Sequence, residues 1–293
     1  MNLKTDILRD GFVIIPNLIS AEEITKLRYL IEARKKSDPT FDGNQSHAAC
    51  VMPELDWLFC HPKILSAMRE ILQPDRIMFT NHDAISRNAL SGWHKDDGIM
   101  ISGYDEIDGG YFRKPTYDLK DCQVYKIAIY LQDHHNNLGG LTVRRGSHRL
   151  ASLDEGEDVY LKTKAGDAVI FDVRITHTGQ TEPVPIPWLI RPVRLLHRIT
   201  AKLFRRSFNK RLMDIYNRIT GDRLAIFFTF GVANDLTIKF SQTSIRRVLA
   251  LQPVGHDLPV FLPETTRNKF LNSGVLLAED YFTDLSPLPP LSS

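Results

Sequence analysis

Residues 93–98 read WHKDDG, which sets a histidine and two acids within four consecutive positions. His94 and Asp96 are two apart, and in an extended segment residues i and i+2 share a face. One imidazole and one carboxylate can then reach the same point. That pair suits two legs of a 2-His-1-carboxylate triad, which binds Fe(II) and leaves positions open for oxygen and a co-substrate. Asp97 would point to the opposite face. The third leg must be a histidine from another strand. Of the ten histidines, His134 and His135 lie in a polar turn, LQDHHNNLGG, and His148 follows the turn RRGSH. His177 is different, because it ends GDAVIFDVRIT, a turn followed by an apolar strand. Such a residue is placed to enter a shared cleft. On spacing alone, a solvated loop at 94–97 and a satisfied core histidine at 177 account for the same letters.

The elements that must position these residues are legible in outline. LKTDILRD reads as a short helix and GFVIIP as a strand. Ser20 with Glu23 three places later makes a capping box at the start of a second helix. Residues 36–50 read as polar loop, and Pro62–Leu72 as another helix. The character then changes. RIMFTNHDAISR, DCQVYKIAIYLQDH, GLTVRRGS, AVIFDV and RLAIFFTFGV are short, rich in β-branched and aromatic residues, and separated by Gly, Asn and Asp. They predict an antiparallel β-rich core beneath an N-terminal helical layer. YKIAIYLQ and RLAIFFTF are apolar on both parities, so both faces of those strands should be covered.

In this order the pieces resemble the phytanoyl-CoA dioxygenase family of Fe(II)/2-oxoglutarate oxygenases. DGFVIIPNLISAEEI resembles the family's opening strand and helix, and WHKDDG its WHxD ligand segment. KIAIYLQDHHNNLGGLTVRRGSH resembles its strand, acidic turn, GGL and closing GSH, and AGDAVIFDVRITHTG its second ligand segment. RLAIFFTFG resembles the strand that carries the 2-oxoglutarate arginine. The likeness runs over residues 7–181 and 222–235. It implies a mainly β fold with flanking helices, whose core is a double-stranded β-helix, a jelly-roll of cupin type. It implies that His94, Asp96 and His177 bind Fe(II) and carry the catalysis, with 2-oxoglutarate and O2 as co-substrates. The far carboxylate of 2-oxoglutarate would meet an arginine, whose planar fork suits it. Arg223 opens the matching strand, and Arg191, beside Pro192, is the competitor. Lys126 shares a parity with Ala128 and Tyr130 and is a candidate contact for the co-substrate. Two positions depart from the family pattern: Arg145 stands where the closing turn has proline, and Gly179 where a polar residue is frequent. The intact Asp96 points to hydroxylation or another oxidation rather than halogenation.

Length and composition set the remaining bounds. The chain has 293 residues with 43% hydrophobic and 25% charged residues, enough for a sizeable core. It reads as a single domain over 1–293, with an insertion at about 182–221 and a mobile tail at 285–293. Three cysteines without a CxxC suggest neither a disulfide framework nor a thiolate zinc site. The N-terminus shows no secretory pattern, and no apolar run is long enough to span a bilayer. The expected location is therefore cytoplasmic. Residues 191–223 hold ten Lys/Arg against two acids, a local +8 in a chain of net charge +2, which leaves −6 for the rest. Within them, 195–219 reads as a helix with an apolar and a basic face. Three roles fit it: a solvated cap on the barrel, a peripheral contact with an anionic membrane near Trp188 and Phe204, or a site for an anionic ligand or a second subunit. No nucleic-acid reader motif is present. The loop GIMISGYDEIDGGYFRKPTYDLKD reads as a lid, carrying Tyr104, Tyr111, Arg113 and Lys114. The expected activity is oxidation of an unactivated C–H bond in a small-molecule or lipid-like substrate, releasing succinate and CO2. The opposing class is a non-catalytic binding or scaffold module on the same fold, and decay of a triad residue would favour it.

Overall fold

The computed structural model describes residues 2–72, 76–88, 91–96, 124–134, 140–179, 222–250 and 258–286. The expected helix at 195–219, Arg191, Asp97, the lid residues and the last seven positions lie outside them. The N-terminal layer forms as its caps predict. Helix α1 (Leu3–Asp10) ends on Gly11 at φ 86°, the left-handed conformation that glycine adopts without penalty. Strand β1 (Phe12–Ile15) follows. Helix α2 (Ala21–Ser37) starts on the reciprocal Ser20–Glu23 capping box. The stretch read as loop is more ordered than expected. After α2 come strand β2 (Gln45–Ser46) and the short helix α3 (Ala48–Val51), both held against strand β3 (Ile77–Arg87). Tertiary pairing overrides weak local propensity there. Helices α4 (Asp56–Phe59) and α5 (Pro62–Ile71) complete the layer.

Two sheets form the core. Strands β4 (Val124–Tyr130), β7 (Ala168–Asp172) and β9 (Leu224–Val232) join β1 and β3 in the large sheet, with β10 (Leu276–Leu277) at one edge. Its order is β1-β7-β4-β9-β3-β10, with β2 pairing to β3. The small sheet has the order β6-β5-β8, from Glu157–Tyr160, Thr142–Arg145 and His177–Thr178. Alternation decides which side chains lie between the sheets. Ala128 and Tyr130 of β4, Val169 and Phe171 of β7 and Ala225 of β9 pack with Leu141, Val143 and Leu161 from the small-sheet side. Their neighbours Ile127, Ile129, Ile170, Ile226 and Phe228 face the helices in the main core. The two strands with apolar residues at both parities, β4 and β9, are central and covered on both faces.

Helices α6 (Asp235–Ala250) and α7 (Glu264–Asn272) follow β9. The sequence pattern did not indicate either. Helix α6 packs against β3, at the end of the large sheet away from Arg223.

Candidate metal and co-substrate site

The segment 91–96 lies against β8. His94 and His177 exchange both backbone hydrogen bonds, at 3.0 and 2.9 Å. Partners in such a pair project to the same face, and their rings lie 4.2 Å apart between centroids. Asp96 joins them two residues on. Its Oδ1 is 3.8 Å from His94 Nε2, and its Oδ2 is 3.6 Å from His177 Nε2. All three ligand atoms fall within 4.8 Å of one another, a spacing over which one ion can be shared. The same alternation sends Lys95 the other way. It is fully buried, and its Nζ donates to Ser147 O at 2.7 Å and Arg174 O at 2.5 Å. Sequence reasoning passed over Lys95. The signal was its position between two residues that must share a face.

Further contacts lock the two ligand segments together. Thr178 Oγ1 donates to Ser91 O at 2.6 Å, and Gly179 N–H to Ser91 Oγ at 3.1 Å. Arg144 lies over the Trp93 ring at 4.3 Å. Arg174, whose carbonyl receives Lys95, grips Asp172 through Nε at 3.0 Å and Nη2 at 2.7 Å, with both side chains buried. This pair fixes the turn that delivers His177.

The donor set fits a divalent metal. His94 Nδ1 is 2.7 Å from Gly92 O, and His177 Nδ1 is 3.0 Å from Ile175 O. Each Nδ1 therefore carries its proton toward a carbonyl, and each Nε2 keeps its lone pair for the shared point. Burial, then the neighbouring His94, pushes His177 down to about 3, so its imidazole is neutral at ordinary pH, the form that can ligate a metal. Burial alone would raise the Asp96 carboxyl. The Lys126 ammonium, then His177 and His94, outweigh burial and hold Asp96 far below the usual carboxylate range. It is an anion, as a ligand must be.

Lys126 points inward with Ala128 and Tyr130, as its parity predicts, and its Nζ lies 3.0 Å from Asp96 Oδ2. The side chain expected to meet the co-substrate thus holds the carboxylate of the triad. Arg223 precedes β9 and is buried. Asn88 grips its backbone from both sides, each bond at 2.8 Å. Its guanidinium lies 5.7 Å from the Tyr130 ring centroid and 6.0 Å from that of Phe227. A Cβ at Gly179 would sit 3.4 Å from Arg223 Nη2 and 3.3 Å from Ser91 Oγ, so the glycine leaves room for the guanidinium. His94, His177, Lys126 and Arg223 line one cavity of about 150 Å³, whose apolar walls include Phe171 and Phe227. Of the other histidines named from the sequence, His135 lies outside the described residues, and His134 and His148 have partners elsewhere. His134 pairs with Gln132 and Thr163, and His148 contacts Leu8 O.

Residues 7–182 match the family model for phytanoyl-CoA dioxygenase (PhyH). The chain belongs to the phytanoyl-CoA dioxygenase family. The match covers both ligand segments and stops short of β9. Members of this family depend on Fe(II) and 2-oxoglutarate, and the chain is an enzyme of the 2-oxoglutarate-dependent oxygenase or epimerase type. No curated protein matches it. Among solved structures it is similar to the non-heme alpha ketoglutarate dependent epimerase SnoN from nogalamycin biosynthesis, at 14% identity and TM-score 0.52, over 89% of this chain and 92% of that one. It is also similar to the non-heme monooxygenase ThoJ in its nickel complex, at 14% identity and TM-score 0.51, over 92% and 95%. HygX from Streptomyces hygroscopicus, with nickel and 2-oxoglutarate bound, gives 14% identity and TM-score 0.52 over 78% and 85%. At these identities the likeness shows the fold, the jelly-roll that the family resemblance implies.

Proposed function

We propose that this family member is an Fe(II)/2-oxoglutarate-dependent hydroxylase of a small molecule, with His94, Asp96 and His177 as the iron ligands and Arg223 as the co-substrate arginine. One observation carries the reading: two imidazoles and a carboxylate converge at one point of a cavity that a buried arginine also lines. Iron with 2-oxoglutarate and O2 supplies the oxidising chemistry, with succinate and CO2 as by-products. The chain's own residues do the rest. His94 and His177 present preset lone pairs, because Gly92 O and Ile175 O fix their tautomers. Lys126 holds Asp96 ionised and in place. The Arg223 fork receives the far carboxylate of 2-oxoglutarate and sets its direction in the cavity. Phe171 and Phe227 give the cavity apolar walls, and lowering the local dielectric there strengthens both charge contacts.

The similar structures include an epimerase and a monooxygenase, so the fold serves more than one outcome. The intact carboxylate ligand favours hydroxylation or another oxidation over halogenation, and hydroxylation is the outcome we propose. The test is succinate formation from 2-oxoglutarate with added Fe(II), followed by oxygen-isotope analysis of any product. The reading requires succinate from the unmodified protein, background levels from His177→Ala, and a product oxygen derived from O2. A product of unchanged mass and inverted configuration would replace hydroxylase with epimerase. No succinate from folded, iron-loaded protein under any substrate mixture would favour the non-catalytic binding module. Location in the cytoplasm and a peripheral membrane contact through 191–219 remain part of the proposal, both testable by fractionation.

A further inference from the structure

Strand β3 does not run evenly across the sheet. Ser86 lies opposite Ala225 and Ala84 opposite Phe227, so both face the interior. His82 is the next residue of that parity. Beyond it the register slips, and the steps from Phe79 to Asp83 span only Phe230 to Phe228 on β9. Asn81 takes up the slack at φ 53°. Its Nδ2 is held by Glu279 Oε2 at 2.5 Å and Val260 O at 3.2 Å. A bulge of this kind re-aims a side chain, and the one re-aimed is His82. Thr229 Oγ1 donates to the His82 carbonyl at 3.1 Å, and Thr229 is the register partner of Lys126. His82 therefore stands level with the metal end of the cavity. Arg223 is six residues away along β9, roughly 20 Å at the rise of a strand.

Helix α6 closes this end. Phe240 meets the His82 ring edge-on at 5.5 Å. Ser244 and Arg247 follow Phe240 at steps of four and three, so all three lie on one face of the helix, and all three are buried. Among the described residues, His82 Nδ1 and Ser244 Oγ are shut from solvent without a hydrogen-bond partner. Leaving a buried polar atom without a partner is costly, so each of the two is a ready contact for a bound polar group. Among the described residues, the charges acting on His82 include Lys126, Asp96, Arg247 and His47. Burial keeps His82 neutral, so it offers an N–H, while Arg247 supplies positive charge.

Building on the function proposed above, we infer that His82, Ser244 and Arg247 anchor the substrate by an oxyanion group, a carboxylate or a phosphate monoester, at the α6 end of the barrel. The rest of the substrate then extends from this anchor toward the three metal ligands. The anchor belongs to this chain's bulge and α6 face, both of which lie apart from the ligand segments.

The test uses full-length protein loaded with Ni(II) and 2-oxoglutarate, titrated calorimetrically with methyl phosphate and acetate, with methanol and acetamide as neutral controls. At least one anion binds and the neutral probes do not, and the tighter anion identifies the substrate's group. His82→Ala, Ser244→Ala and Arg247→Gln each weaken that binding by about tenfold or more. His82→Asn, which keeps an N–H near the Nδ1 position, retains most of it. The Ni(II) and 2-oxoglutarate affinities stay unchanged in all four variants, which separates the anchor from the metal site. Binding of neither anion, or anion binding unchanged in His82→Ala and Ser244→Ala, overturns the assignment, as does equal loss in His82→Asn and His82→Ala. If unmodified protein fails to take up Ni(II) and 2-oxoglutarate, it is the proposed function that fails. The same anion titration of the metal-free protein then decides the anchor by itself.

Discussion

Asp96 and Asp83 are carboxylates on opposite sides of the large sheet, the first mostly buried and the second fully so. Asp96 lies between the sheets, with a lysine and two histidines around it. Asp83 faces the helical layer, where the Ala49 N–H donates to its Oδ1 at 2.8 Å and its Oδ2 has no partner among the described residues. Burial acts on both in the same direction. At Asp83 the amides of Ala49 and Ala48 oppose burial only in part, and the carboxyl is pushed up to about 7. At Asp96 the neighbouring cation wins, and the group stays ionised. Burial alone therefore does not make a functional acid; the charge beside it decides. One site keeps its carboxylate ionised beside two imidazoles. The other is built to hold an acid proton inside a structural joint.

The sharpest way to break this contrast is at Asp96. Asp96→Asn removes the anionic leg, and succinate formation should fall to the level of protein without iron, measured by chromatography of the reaction mixture. At Asp83 the effect should appear in stability. Its folded-state value lies above the ordinary 3.8, so the proton it binds favours the native state at low pH. That contribution is full below about pH 4 and is lost as pH rises to about 7, worth up to about 4 kcal/mol. Asp83→Asn should remove this slope, as read from denaturant unfolding across that window. An unchanged slope would place the proton elsewhere.

Smaller effects sharpen the comparison. Lys126→Met takes away the cation that holds Asp96 low and should cost about 10–100-fold in metal affinity, measured by competition with a chelating dye. Retained affinity would mean that Asp96 stays ionised without Lys126. Gly179→Ala brings a methyl against Arg223 and Ser91. It should raise the half-saturating 2-oxoglutarate concentration about threefold, since small displacements of a positioning group carry a measurable rate penalty, with little change at saturating co-substrate.

Particular residues show what could be read beforehand. His94 and Asp96 were legible because a two-residue step fixes a shared face, and His177 because an apolar strand delivers it. Strands β4 and β9 announced their central places by being apolar at both parities. Helix α6 gave no such sign. Its buried face holds Thr237, Ser241, Thr243, Ser244 and Arg247 beside Phe240 and Ile245, so no apolar stripe marks it. Helix α7 is short and buries only Thr266 and Phe270. Strand β6 is exposed or half-buried throughout. The bulge at Asn81 depends on Glu279 and Val260, far away in sequence, and a local pattern cannot register it. The same holds for Lys126, whose partner became visible only when β4 was set beside segment 91–96.

The central claim is that His94, Asp96 and His177 hold iron while Arg223 aligns 2-oxoglutarate in the same cavity. The most direct measurement is an anaerobic titration of the protein with Fe(II) and 2-oxoglutarate, watching for the weak visible charge-transfer band of the chelate. The account predicts a band in the unmodified protein, its loss in His94→Ala, Asp96→Ala and His177→Ala, and a weaker co-substrate dependence in Arg223→Ala. A folded protein that shows no band, or a band untouched by the three ligand substitutions, would contradict it.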